Sequence, residues 1–118
     1  MKKETLNDFL NEININKTEI AIIKNKYGIE MPSDVEKIIS CEEGKLFLDD
    51  WRFLSRREML NADEFLNYSF LMKKQLPIVD TFDNDFIVYD ATKEAYILLN
   101  IVDECEFGQG KQLLDFAE

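Results

Sequence analysis

The chain has 118 residues, with 24 acidic side chains against 14 basic ones, no histidine and a formal net charge of −10. That length fits one domain over 1–118, and 46% apolar residues suffice for a buried core. Negative charge on this scale opposes phosphate backbones and anionic lipid, so neither nucleic acid nor membrane is an expected partner.

Leu6, Phe9, Leu10 and Ile13 recur at helical spacing and predict a first helix behind Thr5 as N-cap. Asn16 with Glu19 opens a second, whose face of Ile20, Ile23 and Tyr27 runs to a stop at Gly28. Met31-Pro32 forces an extended step, after which Ser33 and Glu36 predict a capping box for a third helix carrying Val35, Ile38 and Ile39 and closed by Gly44. Two β-prone runs, Leu46 to Leu48 and Trp51 to Leu54, flank Asp49-Asp50 as a hairpin. Ser55 and Glu58 form another capping box, with Leu54 and Met59 at the staple positions. Asn61 with Glu64 repeats the pattern, predicting helix to about Met72.

The period then becomes that of strands: Leu76 to Thr81, Asp85 to Asp90 and Ala95 to Asn100, an antiparallel meander. Phe86, Ile87, Val88 and Tyr89 are apolar on both faces, so helices are expected over one face and some further element over the other; the first helix can supply that cover without a dimer. Gly108 and Gly110 precede a last predicted helix with Leu113, Leu114 and Ala117. The expected class is α+β, a mostly antiparallel sheet of meander plus hairpin with helices packed on one face.

Without histidine, the Ser-His-Asp triad, Cys-His nucleophiles and the HExxH zinc site are excluded, and four glycines form no phosphate-cradling motif. Asp80, Asp83 and Asp85 are close in sequence, but counting from Asp80 or Asp83 puts no glycine at the sixth position of a calcium loop. A 118-residue chain is short for a glycosidase cleft around paired carboxylates. No catalytic residue, metal ligand or cofactor is therefore assigned. Cys41 and Cys105 lack CxxC spacing and read as small hydrophobes, and the longest apolar run, Ala95 to Leu99, is too short for a membrane span; a cytoplasmic chain is expected. Arg56-Arg57 at a helix start opposes the helix dipole, with Glu58 or the Asp49-Asp50 turn as expected compensation.

Tyr27-Gly28-Ile29-Glu30-Met31-Pro32, Arg52-Phe53-Leu54-Ser55, Leu76-Pro77-Ile78-Val79-Asp80 and Asp85-Phe86-Ile87-Val88-Tyr89-Asp90 occur in this order. By that order and spacing the chain resembles the SUKH superfamily between roughly Glu19 and Asn100. Met31 stands where leucine is usual, Glu43-Gly44 where paired glycines are common, and Asp83-Asn84 in a turn that is glycine-rich in the family; Asn84 can adopt the left-handed backbone instead. The resemblance implies a cytosolic immunity protein that binds and blocks the toxin domain of a bacterial effector, many of which are nucleases. Other relatives act as regulatory or scaffold domains in cell-wall or stress signalling, which makes an adaptor the alternative. No binding residue is carried over from the family.

Charge itself suggests the mode of binding. Residues 1–40 carry six lysines against seven acids, whereas residues 41–118 carry eight bases against 17 acids. A nuclease presents a basic groove, which an inhibitor can fill with carboxylates that imitate phosphate. The candidate partner-binding residues are Asp49, Asp50, Asp80, Asp83 and Asp85 on predicted turns, with Trp51 as an aromatic anchor. The expected molecule is a monomer or weak homodimer whose partner is a cognate toxin domain.

Overall fold

Three helices lead the chain: α1 (Lys3–Glu12), α2 (Lys17–Tyr27) and α3 (Ser33–Ser40) in the computed structural model, which describes residues 1–82 and 84–118. Asn16 caps α2 as its spacing predicts, its Oδ1 accepting the Glu19 backbone N–H at 3.2 Å, and Gly28 ends the helix in the left-handed region at φ 64°. Two other predicted caps are replaced. Thr5 lies inside α1, which begins behind Lys2, and Ser33 is already the first residue of α3 behind Pro32. Glu36, placed to reach back in a capping box, instead turns its carboxylate to Lys24 of α2, 3.4 Å away. α3 stops at Ser40 rather than Gly44, and Glu43–Lys45 form a 3-10 turn.

The hairpin strands β1 (Phe47–Leu48) and β2 (Trp51–Phe53) pair as expected, Leu48 opposite Trp51. Helix α4 (Arg56–Leu60) carries the full Ser55–Glu58 capping box. Arg56 donates to the carbonyls of Ile39 at 3.1 Å and Cys41 at 3.4 Å, and pairs with Glu19 at 3.1 Å. The end of α3 and Glu19, rather than Glu58 or the hairpin turn, thus compensate that cation.

The continuous helix expected to Met72 is instead two short ones, α5 (Ala62–Leu66) and α6 (Phe70–Lys73), parted by Asn67 at φ 50°. Asn61 does not cap α5: its amide donates to the Arg57 carbonyl and closes α4. Asp63 caps α6 from a distance, its Oδ1 accepting from the backbone of Phe70 at 2.9 Å and Leu71 at 3.2 Å.

Strands β3 (Gln75–Asp80), β4 (Asp85–Asp90) and β5 (Ala95–Asn100) form the meander, joined by an unpredicted β6 (Cys105–Gly110). The six strands lie in sequence order, every neighbour antiparallel, giving the expected α+β class. The last element is a 3-10 turn, Leu113–Phe116, not the predicted helix. β6 hides from pattern reading because its alternate positions are glycines. A Cβ on Gly110 would lie 2.9 Å from Asp115 Cβ and 3.2 Å from the Phe116 ring. Those glycines let the 3-10 turn pack against the strand.

Both sheet faces are covered. Phe53, opposite Val79, which is opposite Ile87, stacks on Phe9 of α1 with ring centroids 5.0 Å apart. The reverse face meets α4 to α6: Tyr68 donates to Gln75 Oε1 at 3.3 Å, and the Gln75 amide donates to Asp90 and Glu106, each at 3.0 Å. Buried Gln75 and Asp90 are thereby satisfied.

Gly110→Ala is expected to lower the unfolding free energy in urea by about 1–3 kcal/mol through overpacking against Asp115 and Phe116. Gly44→Ala, with nothing within 4 Å of its added Cβ, should stay within about 0.5 kcal/mol of the parent.

Candidate protein interaction surface

Antiparallel pairing of sequence neighbours puts alternate turns at the same end of a sheet. Arg52 lies opposite Asp80, and Asp85 opposite Asn100, so the 49–50, 81–84 and 101–104 turns share one end. Adjacency of the last two is direct: the Ile101 backbone N–H donates to the Asn84 carbonyl at 3.2 Å. This end carries Asp49, Asp50, Asp80, Asp85, Asp103 and Glu104. The opposite end carries Lys73, Lys74, Lys93 and Lys111 together with Glu94, buried Asp90, Asp115 on the Lys111 backbone N–H at 3.0 Å, and the Glu106 carboxylate paired with Lys93 at 3.0 Å. The end with the three turns is therefore the more acidic of the two.

Of the predicted site residues, the structure brings Asp49, Asp50, Asp80 and Asp85 to that one end, while Asp83 lies outside the described residues. Asp49 and Asp50 are exposed in the hairpin turn, Asp49 at φ 52°. Asp50 pairs with the Met1 amino group at 2.9 Å, and that hydrogen bond holds its carboxyl below the usual range. Asp85 accepts from the Asn100 amide at 2.8 Å. Trp51 is different: only 5% exposed, it packs edge-on to Phe53 and cannot be an outward anchor. Its place in β2 beside Phe53, two residues on and on the same face, takes it into the core.

The cross-strand register aligns Phe47, Arg52, Asp80 and Phe86 in one row on the face that meets α4 to α6. At its centre Arg52 forks onto Glu58, Nη1 to Oε1 at 2.7 Å and Nη2 to Oε2 at 2.9 Å, and reaches Asp80 Oδ2 at 3.2 Å. Burial alone would push the Glu58 carboxyl up; the guanidinium and the Ser55 backbone N–H outweigh it and hold it below the ordinary glutamate value. Phe65, Leu66 and Phe86 line a small cavity of about 50 Å³ with these ion-paired groups and Leu54.

Exposed aromatics border the row. Phe47 and Phe82, 70% and 57% exposed, stack with centroids 6.4 Å apart and planes inclined by 12°. Asp80 Oδ1 accepts the Phe82 backbone N–H at 2.8 Å, fixing the turn that offers this ring. Phe82 has φ 72°, a left-handed conformation seldom taken by a bulky residue. Phe65 and Val102 are also exposed, at 71% and 69%. Phe47, Phe82, Asp103 and Glu104 were absent from the predicted site, because their gathering depends on which turns share an end.

Cys41 is buried and burial pushes its thiol up, whereas Cys105 is exposed at the head of β6 and not the small core residue expected. No helix among the described residues is long and apolar enough to cross a membrane. Comparisons with family models, curated proteins and solved structures gave no match.

Because Glu58 titrates lower in the folded chain than its ordinary value of 4.5, its contribution is present above that pH and is lost as pH falls through the folded value. Arg52→Met removes the cause. The variant should be less stable than the parent at pH 7 in urea, and the gap should narrow as pH falls below 4.5 and the Glu58 carboxyl protonates.

Proposed function

We propose that this chain is a SUKH-like immunity protein: a non-enzymatic, cytoplasmic binding protein, monomeric or weakly dimeric, that neutralises a bacterial toxin domain by contact through its acidic end. The observation that carries this reading is the convergence of three acid-bearing turns on one end of the sheet, with lysines at the other. A nuclease groove built for phosphates is the complementary surface, and carboxylates set in it compete with substrate by charge and by shape. The fork of Arg52 on Glu58 supports the role by making the row beneath these turns a fixed platform. Partner recognition by a rigid face needs no ordering of loops on binding.

Co-expression with the toxin domain encoded by the adjacent upstream gene tests the reading. Protection of the cells and a purified one-to-one complex are the expected results. A chain that gives no protection and binds only an endogenous partner is the adaptor instead. Within the toxin complex, Asp49→Asn with Asp85→Asn should slow association by about two- to tenfold at low salt, and the difference should vanish by roughly 0.5 M salt; stopped-flow fluorescence measures both.

A further inference from the structure

We propose that Phe47 and Phe82 form an aromatic platform for an arginine carried on an exposed loop of a basic partner protein. The platform deepens the reading above and rests on it for the partner's positive charge.

Two rings stacked on one another yet both more than half exposed are an unfinished core. Exposed phenylalanine in contact with a second exposed phenylalanine is a patch rather than scattered apolar surface. The backbone adds an independent sign. Phe82 sits at φ 72°, a conformation that disfavours any side chain with a Cβ, and the Asp80 side chain holds it there. Beyond the Phe47 ring, packing inside this chain does not account for the ring's position, because more than half of the residue is exposed.

Charge complementarity names the occupant. The platform stands at the end that bears Asp49, Asp50, Asp85, Asp103 and Glu104, which attracts a cation. A guanidinium can lie flat on an aromatic face while its edge donates to carboxylates, whereas an ammonium is a compact, strongly hydrated charge. Arg52 is committed to Glu58 and Asp80, so the chain's own central guanidinium does not supply the contact. A second copy is the poorer occupant, since symmetric pairing through this end would set carboxylates against carboxylates in a chain of net charge −10.

The full chain, labelled with ¹⁵N and with ¹³C in its phenylalanine rings, is titrated with the peptide acetyl-Gly-Arg-Leu-Arg-Gly-amide and with its lysine and glutamate counterparts. Saturable shifts at Phe47 and Phe82 are expected, with the arginine peptide tighter than the lysine one and the glutamate peptide silent. Phe47→Ala should weaken the arginine peptide by at least about fivefold. Phe82→Asn should weaken it as much while its melting temperature holds or rises, because asparagine tolerates the left-handed backbone. Shifts confined to the acidic turns, equal affinity for Phe47→Ala, or a Phe82→Asn melting temperature lower by more than about 5 °C would overturn the platform. So would sedimentation showing a dimer that Phe47→Ala dissociates. The toxin domain separates the two ideas. Peptide binding at the platform alongside a toxin domain that is ignored removes the immunity reading alone, and a toxin domain bound undiminished by a chain carrying both Phe47→Ala and Phe82→Asn removes the platform alone.

Discussion

The sheet pairs every strand with its sequence neighbour, and that constraint decides where each turn goes. Once β1 to β6 alternate in direction, the 49–50, 81–84 and 101–104 turns have to share an end, and the acids they carry have to share it with them. Nothing about an isolated aspartate marks it as part of a surface. Polar turns are ordinary solvent-facing structure, and most acidic residues in them need no further account. What gives these a collective character is that they share one end, while the lysines at the other are matched by acids of their own. The resulting field falls off along one axis of the molecule rather than averaging out over it.

Beneath the acidic end lies a row in which two aromatic rings flank a charge pair: Phe47, Arg52, Asp80, Phe86. Arg52 holds β2, β3 and α4 together through two carboxylates, and a half-buried fork of this kind fixes relative positions even where its net contribution to stability is modest. Asp80 serves twice, one oxygen on Arg52 and the other on the Phe82 backbone. The left-handed backbone at Phe82 is therefore mechanically connected to the ion pair. The Asp80 carboxylate is, in the fold, the bracket that holds the turn at Phe82.

The meander, the hairpin, the Asn16 cap and the Ser55 box were legible because each is a local signal: alternation, a paired-aspartate turn, a cap three residues from its donor. The misses share a cause in long-range partners. Lys24 diverts Glu36 from its box, Arg56 caps α3 from the far side of a hairpin, and Asp63 caps a helix seven residues on. β6 was invisible because its glycines answer to Asp115 and Phe116, which pack on it from later in the chain. At the site, charge and turn chemistry pointed to four aspartates that do gather, while hydrophobicity pointed to Trp51, an aromatic beside a polar turn. Phe47 and Trp51 flank the same turn from opposite strands, and only the pairing register with β3 tells which of them faces the core.

One connection in this meander is unlike the rest. β3, β4, β5 and β6 follow one another through short links, but 21 residues separate Phe53 from Gln75, and into that gap fall α4, α5 and α6. Chain entropy opposes closing such a gap more than it opposes a tight turn. Glu58 stands early within it and Asp80 on its far side, and Arg52, one residue before it opens, grasps both. The hairpin of β1 and β2 thus has no sheet to join until ribosomal synthesis has delivered β3, and the amino-terminal helices wait for a strand made several seconds after them at elongation speeds of about 5–20 residues per second.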